Sequence, residues 1–140
     1  MSRGGSPGRW ERLSDARVGR LGTVRPTGAP HLVPVTFAVL GRRRVCTAVD
    51  AKPKRSTRLQ RLANIEHEPR VSLLVDRYDE DWTRLWWVRA DATARIVGEG
   101  HEFDEALESL AVKYTQYRDD RPEGPVIILA VDQLVGWDGG

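Results

Sequence analysis

The stretch from Val45 to Arg58 holds the densest grouping of residues able to do chemistry. A run of strand character that includes Thr47, Ala48 and Val49 leads into Asp50-Ala51-Lys52-Pro53-Lys54. Arg55-Ser56-Thr57-Arg58 follows, where a helix is expected to begin. Free backbone N–H groups and the positive end of a helix dipole favour an anion at such a start. Lys52, Lys54, Arg55 and Arg58 would add charge-assisted donors, and Ser56 or Thr57 a hydroxyl. The chain has three lysines against nineteen arginines, and two of the three stand in this loop. Cations beside a helix N-terminus oppose its dipole unless an anion compensates them. The segment therefore reads as a phosphate site, against the plainer alternative of a solvated basic loop.

Two further groupings could meet a flat ligand. In His31 to Leu40, Val33, Val35, Phe37 and Val39 share one face, with Pro34 and Thr36 on the other. Proline inside a strand removes a ladder donor and belongs at an edge or bulge. Backbone groups around Pro34, Val35 and Thr36 are then free for a planar ligand; an ordinary edge strand is the alternative. Trp82, Trp86 and Trp87 gather beside the acidic run Asp79-Glu80-Asp81. Trp86 and Trp87 point to opposite faces of one strand and cannot both fill one core, so Trp87 lies in an interface or lines a site. The acidic run offers acid–base groups, with a solvated loop as the simpler reading. His31, His67 and His101 are too dispersed for a metal cluster, and the lone Cys46 excludes a disulfide framework or cysteine zinc site. No metal is expected, and no phosphate-loop, dinucleotide, serine-hydrolase or zinc-protease motif occurs.

The surrounding pattern says what must position these groups. Residues 1–15 read as a flexible segment or a short helix, with Trp10, Leu13 and Ala16 at helical spacing. Strands are expected at Leu21–Val24, His31–Leu40, Val45–Val49, Val71–Asp76 and Pro125–Val131, with Val71–Asp76 buried on both faces. Trp86, Val88, Ala90, Ala92, Ala94 and Ile96 are apolar while Arg89, Asp91, Thr93 and Arg95 between them are polar, a long strand with small alanines inward. Ser56–Ile65 fits a short helix with a capping box at Thr57-Arg58-Leu59-Gln60. Phe103, Ala106, Leu107, Leu110, Tyr114 and Tyr117 mark a longer amphipathic helix. The turn Gly41-Arg42-Arg43-Arg44 reads as solvated rather than as a nucleic-acid patch. Hairpin connections imply a mainly β architecture over residues 16–140, an antiparallel barrel of six or seven strands with one short and one longer helix.

Composition bounds the rest. A chain of 140 residues, 40% apolar and 30% charged, fits one folded domain. A net charge of +2 argues against a cationic nucleic-acid coat. No apolar run approaches the ~18–20 residues of a membrane span, and the N-terminus lacks a secretory core, so a cytoplasmic location is expected.

Leu21-Gly22-Thr23-Val24, Gly28-Ala29-Pro30-His31-Leu32-Val33-Pro34-Val35, Ala48-Val49-Asp50-Ala51-Lys52-Pro53-Lys54, Leu59-Gln60-Arg61-Leu62-Ala63-Asn64-Ile65, Ser72-Leu73-Leu74-Val75-Asp76-Arg77-Tyr78, Asp81-Trp82 and Leu85-Trp86-Trp87-Val88-Arg89-Ala90-Asp91 carry a resemblance. Together they resemble the pyridoxamine-phosphate-oxidase-like split β-barrel superfamily. Within it they resemble the actinobacterial branch of deazaflavin-dependent oxidoreductases that use coenzyme F420. The resemblance implies a homodimer with the cofactor site at the subunit interface, the cofactor ring along Pro34, Val35 and Thr36, and contacts from Thr47, Ala48 and Val49. It places the phosphate on Lys52, Lys54, Arg55 and Arg58, and has Trp86 and Trp87 of the partner close the site. Hydride exchange with a small conjugated organic substrate is the implied activity. An FMN-binding oxidoreductase, a non-catalytic cofactor carrier and, more distantly, a small nucleic-acid-binding barrel are the alternatives.

Overall fold

The computed structural model describes residues 8–49 and 55–140, with the side chains of residues 55–59 outside that description. In chain order the elements are α1 (Arg9–Asp15), β1 (Gly19–Val24), β2 (Pro30–Val35), β3 (Ala38–Leu40), β4 (Arg44–Ala48), α2 (Arg55–His67) and β5 (Arg70–Arg77). A single 3-10 turn (Trp82–Arg84), β6 (Trp86–Val97), α3 (His101–Lys113), α4 (Thr115–Asp119) and β7 (Val126–Asp138) complete it. The seven strands form one antiparallel sheet in the order β2-β1-β5-β6-β7-β4-β3. Its two edge strands are consecutive in the chain, joined through Thr36 and Phe37, and that corner is the seam of a split barrel. Pro34 lies on β2, an edge strand, where a missing N–H disrupts no ladder.

Strand periodicity divides the apolar residues between two cores. Inward residues of the sheet, among them Leu21, Phe37, Leu73, Val88, Ala90 and Leu129, fill the barrel. Leu13 of α1 and Ile65 of α2 add to this core from outside the sheet. The second core lies between α3 and the outer side of β3, β4 and β7, where Leu110 meets Leu40, Cys46 and Ile128. Val126 to Leu129 are buried on both faces because one face turns to each core. Gly19 keeps this packing possible: a Cβ there would stand 2.8 Å from Leu73 Cδ1 and 3.2 Å from Phe37 Cε1.

Several expectations need correction. The segment His31–Leu40 is two strands, because the corner at Thr36–Phe37 interrupts pairing without interrupting side-chain alternation. Val71–Asp76 is buried on one face only; Val71, Leu73 and Val75 point inward while Ser72 and Leu74 are half-buried outside. The last strand continues past Val131 to Asp138, with a register shift against β6 at Asp91/Ala92 that absorbs one residue of β7. The stripe from Phe103 to Tyr117 forms two helices, α3 and α4, rather than one. The break falls at Tyr114, whose φ of −120° and ψ of 121° are extended. Thr57 does not open α2, which begins at Arg55. Arg43 and Arg44 are not simply solvated. Arg43, at φ 60°, donates to the carbonyls of Val131 and Asp132, and Arg44 pairs with Glu102 and Glu105 of α3. No helix among the described residues is long and apolar enough to cross a membrane.

Candidate functional site

Of the four expected phosphate ligands, Lys52 and Lys54 lie outside the described residues, and Arg55 and Arg58 are placed as the first turn of α2. That turn contains no acidic residue, whereas α3 opens with Glu102 and Asp104. An acidic first turn would offset the helix dipole, and α2 lacks that offset. One turn further on, α2 presents groups that the sequence reading missed. Asn64 is fully buried; it accepts from Gln60 Nε2 at 2.7 Å and donates to Thr23 Oγ1 at 3.0 Å. This fixes α2 against the inner side of β1. Arg61 lies three residues before Asn64, on the same helical face. Its Nε is shut off from solvent and has no hydrogen-bond partner. Burial lowers the pKa of its guanidinium, opposed by Tyr117.

His31 stands cross-strand from Thr23 and shares the inward face of β2 with Val33 and Val35. Its Nδ1 is likewise enclosed and unpartnered. Burial first, then the charges of Arg25 and Arg61, hold the imidazole below its ordinary range. Two enclosed nitrogens without partners, on two elements and within electrostatic reach of each other, suit an anion that accepts from both. The available signal was spacing, because Arg61 and Asn64 form an i, i+3 pair on the face that meets β1.

The corner at Thr36–Phe37 is built rather than left open. Thr47 Oγ1 donates to the Thr36 carbonyl at 2.7 Å, and the Thr36 and Tyr117 hydroxyls are 2.8 Å apart. Tyr114 Oη accepts from the Phe37 N–H at 3.1 Å and lies 2.9 Å from the carbonyls of Phe37 and Arg17. Of the backbone groups expected to be free around Pro34, Val35 and Thr36, the Thr36 carbonyl is taken by Thr47. Val35, Thr47, Ala48 and Val49 are buried. Pro34 is exposed.

Trp86 and Trp87 do point to opposite faces. Trp86 packs on the barrel core under the Arg12 guanidinium, 4.9 Å from its ring centroid. Trp87 lines an outer groove of about 430 Å3 with Leu74, Tyr78, Leu85 and Trp137. Thr47 pairs with Ile127, which pairs with Ile96, ten residues along β6 from Trp86. At ~3.3 Å per residue the two levels are about 33 Å apart along the strand. One chain therefore does not bring the tryptophan pair to the start of α2.

The remaining titratable groups have structural work. Asp81 accepts from the Thr83 N–H and hydroxyl at 3.1 and 2.7 Å, which lowers its pKa, and Asp79 pairs with Arg77 and Arg84. Burial pushes the Cys46 thiol up to about 12, which removes it as a nucleophile. Among the described residues no three His, Cys, Asp or Glu side chains converge as for a metal.

Comparison with known proteins agrees with the fold. A family model described as pyridoxamine 5'-phosphate oxidase matches residues 10–138. No curated protein matches the sequence. A conserved hypothetical protein of Mycobacterium tuberculosis superposes with a TM-score of 0.74 at 24% identity, over 91% of this chain and 81% of that one. A FAD-binding protein of Mesorhizobium loti gives 0.69 at 19% identity, over 91% and 89%. HutZ, the heme storage protein of Vibrio cholerae, gives 0.68 at 17% identity, over 93% and 88%.

Proposed function

Because the chain belongs to the pyridoxamine 5'-phosphate oxidase family, we propose that it binds a phosphorylated flavin-type coenzyme, F420 ahead of FMN, and exchanges hydride with a small conjugated substrate. The observation that carries this reading is the pair of enclosed, unpartnered nitrogens on Arg61 and His31 beside a helix start that lacks acidic residues. These residues fit an anionic group. The choice of F420 over FMN rests on Asp-Ala-Lys-Pro-Lys at 50–54 and Leu-Trp-Trp-Val-Arg at 85–89, the stretches that resemble the deazaflavin branch.

In this reading Arg61 joins Lys52, Lys54, Arg55 and Arg58 in holding the phosphate. The edge strand at Pro34 to Thr36 orients the ring through backbone. A bound deazaflavin supplies two-electron hydride chemistry that no side chain offers. Trp86 and Trp87 enter from a second copy, since within one chain they lie at the far end of β6. Their role is to cover the ring and exclude water. The same binding residues would serve a carrier without turnover. Absorbance titration with F420 and with FMN tests the coenzyme. Turnover with quinone-like acceptors separates enzyme from carrier, and absence of micromolar binding by either coenzyme refutes both.

A further inference from the structure

His31 supplies one of the two unpartnered nitrogens behind the coenzyme reading, and its surroundings are one-sided. On the elements packed against it, the charged groups that act on the imidazole are Arg25, in the turn after β1, and Arg61 of α2. Both are cations, and no carboxylate among the described residues offsets them. Tyr117 acts on Arg61 and not on His31. The partner across the strand is Thr23, already engaged by Asn64. His31 Nδ1 and Arg61 Nε are each shut off from solvent with no hydrogen-bond partner.

We infer that His31 and Arg61 form a proton-linked anion clamp, in which His31 takes up a proton as a dianion arrives and then donates to it from Nδ1 beside Arg61. The inference rests on the reading above that a phosphate group approaches α2, and it adds how that site is regulated. Burial and two neighbouring arginines keep the free imidazole neutral near pH 7, where one of its nitrogens is an acceptor and useless to an anion. An incoming dianion reverses the local field and favours the imidazolium, which donates from both nitrogens. Binding then consumes one proton, and affinity falls as pH rises between the free and bound pKa values, by up to about tenfold per pH unit. Arg61 is charged throughout, so it contributes affinity without pH dependence.

Sulfate is the suitable probe, because it stays a dianion from pH 5 to 8 and any proton uptake belongs to the protein. NMR titration of the histidine ring signals in the full chain, with and without sulfate, reads the effect directly. His67 and His101, both exposed, serve as internal references. Expected results are an upward shift of the His31 titration by a unit or more with sulfate, no shift at the references, and sulfate affinity weakening from pH 5.5 to 7.5. In H31Q the affinity should lose that pH dependence, and in R61Q it should drop at every pH. A His31 titration unmoved by sulfate, no sulfate binding, or an unchanged pH profile in H31Q overturns the clamp. Coenzyme binding with an unmoved His31 removes the clamp alone. Sulfate coupling without coenzyme binding removes the coenzyme reading and leaves the clamp.

Discussion

Lys113, the last residue of α3, should destabilise the fold at neutral pH, and Lys113→Met should relieve it. Its Nζ is enclosed and has no hydrogen-bond partner, with the Phe37 ring centroid 4.1 Å away and that of Tyr114 at 5.4 Å. Burial, aided by the charge of Arg17, lowers its pKa from 10.5 to about 8. At about 1.4 kcal/mol per unit that drop sets a ceiling of roughly 3.4 kcal/mol. The side chain is only half-buried, so solvent screening brings the cost to about 1.5–2 kcal/mol. The two ring faces return about 0.5–1 kcal/mol of cation–π attraction, which leaves a net cost of about 1 kcal/mol. Methionine keeps the packing volume and removes the charge. The sign follows from linkage: the penalty is fully present below the folded pKa and is relieved as pH rises from about 8 to 10.5. Urea unfolding at pH 7, 9 and 10.5 should show K113M ahead by about 1 kcal/mol at pH 7. That lead should shrink at the higher values. K113M less stable than the parent at pH 7, or a pH-independent difference, refutes the reasoning.

Other consequences concern the elements that hold the corner and the α3 dock. Tyr114→Phe leaves the Phe37 N–H without its acceptor and should cost about 1–3 kcal/mol, with faster amide exchange at Phe37. Hydrogen bonds from Arg95 and Arg44 hold Glu102 at about 2, below its ordinary 4.5, so their stabilisation is present above pH ~4.5 and lost as pH falls toward 2. Acid unfolding of Glu102→Gln should be flatter across that window than the parent's. Arg43 sits at φ 60° and clamps the carbonyls of Val131 and Asp132. Arg43→Ala keeps the backbone strain and loses the clamp, whereas Arg43→Gly loses the clamp and relaxes the strain. The free energy of unfolding in urea should therefore be higher for glycine than for alanine by about 1 kcal/mol.

Where one physical period governed a whole element, the sequence was readable. The alternation from Trp86 to Ile96 gave a twelve-residue strand, and Pro34 fell on an edge because nowhere else tolerates its missing N–H. Failures came where backbone changes without the pattern changing. Val35 and Phe37 keep alternation through a corner that tyrosine hydroxyls, remote in sequence, stabilise. Tyr114 and Tyr117 continue an apolar stripe across a helix break. Asp132-Gln133 look like a strand end because a polar pair marks the irregularity between β6 and β7. At the site, the cationic loop stood out by composition, while Arg61 did not, being one arginine among nineteen until burial left its Nε unpartnered.

Titration of the wild-type chain and R61Q with F420 and FMN, followed by absorbance, tests the central claim most directly. Loss of one charge-assisted hydrogen bond, about 1.5–3 kcal/mol, should weaken binding by ten- to a hundredfold or more. Micromolar binding by the parent, with F420 tighter than FMN and that loss in R61Q, is the predicted result. No binding of either coenzyme, or binding indifferent to Arg61, contradicts it.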